Sequence, residues 1–320
     1  MTNARTDQKP ACKDLYILTG FLGSGKTTLL NDLLKEVKNK KIGVIQNEFG
    51  KISIDGEILR SQDGITMQEI SAGSIFCTCL KLKFVEALAQ MAQEDLDLVV
   101  VESSGLADPS NIGEILAAVT ELTGPGAYCL RGVICLVDAL HFNQQLPSEE
   151  TVLRQLVHCH LAVINKSDLV EEKEIQAIQQ SIRSVNPKCL IEVTSFGKIK
   201  AETWETDFMA YQWKEDEASL NMVDNKPKTL SLTTDVALPK EGFEAFLRAV
   251  APDAYRIKGF AQLTDGWVQV DMVEERLDFK PCSPKKETQL VFLSKVSIQI
   301  VRTVHDEWEK NLALPVHLHN

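Results

Sequence analysis

Residues 20–27 read G-F-L-G-S-G-K-T, after an apolar run at 15–19 and before a segment that places Leu29, Leu30, Leu33, Leu34 and Val37 on one helical face. A strand that ends in a glycine turn and re-enters as a helix is the first crossover of a parallel α/β sheet, and few other folds accept it. The residue types suit one kind of ligand. Gly23 and Gly25 let backbone amides close around phosphate oxygens, with Ser24 and Thr28 in the same cradle. The helix N-terminus adds partial positive charge, Lys26 is placed to reach β/γ oxygens, and Thr27 offers its hydroxyl to Mg²⁺.

The rest of the N-terminal part repeats that alternation. Apolar runs at 15–19, 42–46, 97–102, 132–138, 161–165 and 190–193 read as strands. Helical-period segments separate them, among them Ile175, Ile178, Ile182 and Val185 before Pro187. Asp108-Pro109 is expected to open another helix, with the carboxylate as cap and proline at the first position. The expected fold is α/β, a P-loop NTPase with a doubly wound, mostly parallel sheet, followed by a smaller C-terminal α+β domain. The boundaries expected are a flexible N-terminus at 1–14, a nucleotide domain at 15–200, a linker at 201–228 and the α+β domain at 229–320. In the last, strands are expected at 229–234, 255–263, 266–273 and 289–293. Helices carry Phe243, Phe246, Leu247 and Val250, and Val301, Val304, Trp308 and Leu312.

Charge narrows the partners. Lys+Arg number 34 against 45 Asp+Glu, a net charge of −11, which argues against nucleic acid or an anionic membrane surface as partner. No apolar stretch approaches the roughly 18 residues of a membrane helix, and no apolar region precedes Leu15 as a secretory signal would require. A cytoplasmic protein is expected. The eight cysteines are too scattered for a disulfide framework.

Two further motifs belong to the same ligand. The strand at 97–102 leads into E-S-S-G-L-A-D-P, which sets Glu102 at the carboxyl edge of the sheet, where ligands of such sheets bind. A carboxylate there can hold Mg²⁺ through water or order the attacking water, with Gly105 at a switch-like spacing. The strand at 161–165 leads into Asn165-Lys166-Ser167-Asp168. Asp168 can accept two hydrogen bonds from N1–H and the exocyclic amine of guanine. Adenine cannot donate in that pattern and would leave the carboxylate unsatisfied. Asn165 can bond the base or tie loops together, and the stem of Lys166 packs on the ring. GTP is favoured over ATP.

These motifs, with Gln46-Asn47-Glu48-Phe49-Gly50, Asp55 and Val137-Asp138-Ala139, resemble the CobW-type metallochaperone GTPases, relatives of the accessory GTPases that deliver nickel to urease and hydrogenase. The resemblance implies slow GTP hydrolysis coupled to binding and release of Zn²⁺ or Co²⁺. It also implies a metalloprotein or a cobalamin (corrinoid) pathway as recipient, and a homodimer through the nucleotide domain. Members carry G-C-x-C-C between the second and third strands. Here the aligned residues are Gly73-Ser74-Ile75-Phe76-Cys77, so Ser74 and Phe76 stand where two of the cysteines would be. Cys77 and Cys79 point to the same side in an extended segment and can present two thiolates to one soft metal. Glu48 is the ligand the family pattern supplies, and His141 is a further loop-borne candidate. Asp55 is a second candidate for Mg²⁺.

Residues 47–79, between the phosphate loop and Glu102, form the natural switch. No water-orienting glutamine and no arginine finger is assignable, so hydrolysis is expected to be slow without a partner. Two alternatives stand beside the metallochaperone reading. One is a GTP-dependent switch that remodels or regulates a corrinoid or metalloprotein client without carrying metal, and the other is a P-loop kinase of a small metabolite. His158-Cys159-His160 is expected to be structural, His317 and His319 to lie on a frayed end, and Cys135 to be core. Cys12, Cys129, Cys189 and Cys282 have no partners at ligand spacing.

Overall fold

The computed structural model describes residues 12–37, 40–48, 65–71, 75–76, 81–210 and 227–319. The chain divides into two compact units, the second of which holds Val223–Asn320. In the first unit the strands are β1 (Lys13–Gly20), β2 (Ile42–Glu48), β3 (Ile65–Ser71), β4 (Leu98–Glu102), β5 (Tyr128–Asp138), β6 (Leu161–Asn165) and β7 (Leu190–Val193). They form one sheet in the order β3-β2-β4-β1-β5-β6-β7. Strands β2, β4, β1, β5, β6 and β7 pair in parallel. Every residue of β4 and of β6 is buried. Helices cover both faces of such a sheet, which is why its strands read as unbroken apolar runs.

The helices are α1 (Lys26–Glu36), α2 (Lys81–Gln93), α3 (Ile112–Thr123), α4 (Phe142–Ser148), α5 (Glu150–Val157) and α6 (Glu172–Val185). Helix α6 buries Ile175, Ile178 and Ile182, and a capping box between Glu171 and Glu174 explains the acidic run that opens it. The helix expected from Asp108-Pro109 begins later, at Ile112. Asp108 is engaged elsewhere: its Oδ1 accepts from Ser110 N at 3.1 Å and its Oδ2 from Arg154 Nε at 3.3 Å. A short polar side chain that bonds two residues ahead makes a turn and not a helix cap.

Three other expectations are corrected. Residues 12–14 of the stretch expected to be flexible are built into the fold, while 1–11 lie outside the described residues: β1 begins at Lys13, opposite Tyr128, and Cys12 forms a disulfide with Cys129, with the Cα atoms 5.6 Å apart. The pairing joins cysteines 117 residues apart, and only the β1–β5 ladder brings them together. The first part of the expected linker belongs to the core, since Trp204 and Phe208 are buried edge-on to Tyr16 at 5.3 and 6.3 Å. The Tyr16 hydroxyl donates to Thr206 O. Finally, the C-terminal histidines lie in a strand and not on a frayed end, as described next.

The second unit is a sheet of β8 (Thr229–Thr234), β9 (Ala254–Leu263), β10 (Gly266–Val273), β11 (Arg276–Pro281), β12 (Thr288–Ser294) and β13 (His317–His319), in the order β11-β10-β9-β12-β8-β13. All its ladders are antiparallel, and His317 pairs with Thr233. Helices α7 (Lys240–Val250) and α8 (Ile300–Asn311) supply Phe243, Phe246, Leu247, Val250, Val304 and Trp308 to its core. Trp308 packs edge-on to Phe246 at 5.1 Å and donates its indole N–H to Leu314 O. Among the described residues no helix is long and apolar enough to cross a membrane.

Candidate functional site

Parallel strands bring the carboxyl ends of β2, β4, β1, β5 and β6 to one edge, and the sequence motifs sit on that edge. Registers align Leu18 and Gln46 with Glu102, and Asp138 with Asn165. Helix α1 starts at Lys26 behind Gly25, whose φ is 104°, and has neither a side-chain cap nor an acidic residue in its first turn. Its first amides therefore face the loop as an anion site. A Cβ at Gly25 would lie 2.3 Å from Asn165 Nδ2, so glycine is needed there for close approach as well as for backbone conformation.

At the phosphate end, polar groups hold one another. Lys26 Nζ donates to Gly20 O at 2.6 Å and Phe21 O at 3.0 Å. Thr27 Oγ1 donates to Glu102 Oε1 at 2.6 Å, and Gln46 Nε2 donates to Glu102 Oε2 at 2.8 Å. Glu102 is buried. Ser24 Oγ and Ser104 Oγ are buried with no hydrogen-bond partner among the described residues. Unpaired buried hydroxyls are uncommon and call for a ligand or water. With the first amides of α1, which no side chain caps, they fit a phosphate chain and its Mg²⁺. Thr28 is exposed one residue further on.

The loop after Glu102 is gripped from two sides. Gln155 Nε2 donates to Gly105 O and Ala107 O, and Arg154 bonds Asp108 and Ser110. On the other side Asn47 Oδ1 accepts from both Ser104 N at 3.3 Å and Ile75 N at 3.1 Å, while Asn47 Nδ2 donates to Ile70 O. Asn111 Nδ2 donates to Phe76 O. Sequence reasoning assigned no role to Gln46, Asn47, Asn111, Arg154 or Gln155, since their partners lie tens of residues away.

At the base end, Asn165 ties loops together: its Nδ2 donates to Ser24 O at 2.9 Å, and its Oδ1 accepts from Gly197 N at 3.0 Å. Lys166 has a left-handed φ of 61° and its ammonium bonds Asp138. Burial pushes the Asp138 carboxyl up, but hydrogen bonding to His141 and the charge of Lys166 outweigh it and hold the group below its ordinary value. His141 is thereby committed to Asp138, with Nδ1 at 3.1 Å from Oδ2. Asp168 is exposed, and its backbone N–H donates to Ser195 Oγ. The loop at 194–197, which the sequence reading passed over, completes this end. Its sequence signal was the Ser195-Phe196-Gly197 turn directly after β7.

The candidate metal ligands Cys77 and Cys79, like Asp55 and the Glu48 side chain, lie outside the described residues. Among the described residues no group of three or more His, Cys, Asp or Glu side chains is placed to hold a metal ion. Phe76, at a position where the family pattern has cysteine, is buried edge-on to Phe84 at 5.8 Å. His158, Cys159 and His160 are buried. His160 Nδ1 accepts from Val133 N, and burial lowers its pKa to about 4.

Residues 14–192 match the CobW/HypB/UreG nucleotide-binding domain. The chain belongs to this family. Residues 228–305 match the cobalamin synthesis protein CobW C-terminal domain. Among curated relatives, the zinc chaperone YjiA of Escherichia coli (strain K12) is 30% identical over 189 residues, covering 57% of this chain and 58% of YjiA. The zinc chaperone CobW of Sinorhizobium sp is 29% identical over 217 residues, covering 58% of each chain. This chain thus spans under two thirds of the length of either relative. The crystal structure of Zn(II)-bound YjiA GTPase from E. coli aligns over 94% of this chain and 99% of that one, at 21% identity and a TM-score of 0.48.

Proposed function

We propose that this family member binds GTP with Mg²⁺, hydrolyses it slowly, and couples its nucleotide state to the binding and release of Zn²⁺ or Co²⁺ for a client metalloprotein or corrinoid pathway in the cytoplasm. A homodimer through the nucleotide domain belongs to the same reading. The observation that carries the coupling is Asn47. One carboxamide oxygen accepts from Ser104, two residues after Glu102, and from Ile75, two residues before Cys77. A shift of the Glu102 loop on nucleotide binding therefore acts on the segment that enters the thiols.

In this reading Lys26 leaves the Gly20 and Phe21 carbonyls for β/γ-phosphate oxygens, and the amides of α1 with Ser24 and Thr28 hold the rest of the phosphate chain. Thr27 and Glu102 hold Mg²⁺, with Asp55 as a further ligand. The ion supplies charge that offsets the phosphate oxygens. Glu102, braced by Gln46, orders water at the γ-phosphate, and Gly105 lets the loop approach it. Asp168 reads the guanine edge, Asn165 joins phosphate loop to base loop, and Lys166, held by Asp138, packs along the base. Cys77 and Cys79, with Glu48, hold the cargo metal. With no water-orienting glutamine and no arginine finger assignable from the sequence, turnover is expected to stay well below about 1 per second in the absence of a partner.

The test is Zn²⁺ and Co²⁺ affinity of reduced, metal-free protein by chelator competition, with a non-hydrolysable GTP analogue against GDP. The reading expects a difference of about tenfold or more, about 1.4 kcal/mol of coupling, which Cys77→Ser abolishes. Weak binding that ignores the nucleotide would favour the second reading, a GTP-dependent switch acting on a protein client without metal. Its support is Phe76, a core side chain where the family pattern has a thiol.

A further inference from the structure

Residues Ser195 to Lys198 form a tight turn closed by Lys198 N donating to Ser195 O, and its two central residues, Phe196 and Gly197, have φ of 60° and 67°. Two left-handed central residues define a turn that favours glycine, asparagine or aspartate. Glycine occupies the second place, but phenylalanine occupies the first. A bulky side chain at positive φ is strained, and burial in the core does not offset it, because Phe196 is 67% exposed. Strain of this kind persists at ligand clamps when the surrounding structure enforces it.

The surroundings do enforce it. Gly197 N donates to Asn165 Oδ1, Ser195 Oγ meets Ser167 Oγ at 2.8 Å, and Asp168 N donates to Ser195 Oγ at 3.2 Å. A Cβ on Gly197 would stand 2.8 Å from Leu29 N on helix α1, so the turn is wedged between the phosphate-loop helix and residues 165–168. Lys166, on the other segment of this cluster, is also a non-glycine residue at left-handed φ. Both strained side chains thus border the place where Asp168 is expected to read a base.

We infer that Phe196 is a base-binding residue whose ring packs on the face of the purine, and that the turn is kept strained to present it. The inference rests on the guanine-nucleotide reading above. Every base has a π-face, so the ring contributes affinity without choosing between purines, and that choice stays with Asp168.

The experiment is calorimetric titration of wild type, Phe196→Ala and Phe196→Tyr with GDP and with inorganic diphosphate, which has no base. Phe196→Ala should weaken GDP binding by about tenfold or more, leave diphosphate affinity unchanged, and unfold at no lower temperature. Phe196→Tyr should restore GDP affinity. If wild type binds GDP and Phe196→Ala binds it equally well, the inference falls and the guanine reading stands. If the alanine variant loses GDP and diphosphate in equal measure, the ring acts on the whole loop and the inference is likewise overturned. If wild type prefers ADP to GDP, the guanine reading fails on its own account, and the alanine variant still reports stacking through ADP.

Discussion

The two sheets of this protein put chemistry in different places. In the parallel sheet successive strands end on the same edge, so Gln46, Glu102, Asp138 and Asn165, each at or near a strand's last residue, converge on the phosphate loop after β1. In the antiparallel sheet neighbouring strands end on opposite edges, and its conspicuous residues are instead the apolar ones that meet α7 and α8. Strand direction decides whether residues far apart in sequence gather into a site or spread into a core. On this view, damage to one sheet should be read in nucleotide affinity and damage to the other in stability.

The strongest way to break that separation is Trp308→Ala. It removes a fully buried indole and the hydrogen bond to Leu314 and should destabilise the antiparallel unit by about 3–5 kcal/mol in urea unfolding. GDP affinity of the folded variant should not change, and a parallel loss of affinity would end the comparison. Lys26→Ala is the converse. Affinity for GDP should fall over a hundredfold, about 3 kcal/mol, for loss of charge-assisted bonds to phosphate, with unfolding little altered.

Asp168→Asn sharpens the base end. It should weaken GDP by roughly thirtyfold, about 2 kcal/mol, and improve xanthosine diphosphate, which presents a carbonyl where guanine has its amine. Equal losses for both nucleotides would remove Asp168 from base recognition.

A smaller effect concerns pH. His160 is buried and its pKa lies near 4, down from an ordinary 6.5, so between these values the unfolded chain binds a proton that the folded chain does not. Stability of the parallel unit should therefore fall as pH drops from 6.5, by about 2 kcal/mol at pH 5 from this group. His160→Gln should flatten that slope in urea titrations across pH. An unchanged slope would assign acid sensitivity to other groups.

Much of the fold was legible because its signals are local. A five-residue run such as 161–165 is buried along its whole length and reads without ambiguity, and β4 was readable in the same way. Strand β3, with the sequence ITMQEIS, lies at the sheet edge and mixes polar with apolar residues. Strand β11 has only Leu277 and Phe279 facing its core, and both strands escaped notice. Asp108-Pro109 misled for the opposite reason: the local signal was sound, but Arg154, 46 residues on, engages the carboxylate.

The same division runs through the site. The phosphate loop is legible because an anion cradle needs contiguous backbone amides at a helix start, so glycines, lysine and threonine must be neighbours in sequence. The positions of Glu102 and Asp168 are legible because the first ends the recognisable strand β4 and the second follows the end of β6 by three residues. What sequence alone determined is therefore the parallel sheet and the place of the phosphate-loop motif on its edge. Tertiary structure decided how those pieces are held. Gln46 braces Glu102, Asn165 joins Ser24 to Gly197, Asn47 links Ser104 to Ile75, Asp138 anchors Lys166, and a clamped turn holds Phe196 in solvent. Each rests on one or a few contacts between segments distant in the chain, set by strand order and register, and spacing along the sequence carries no record of them.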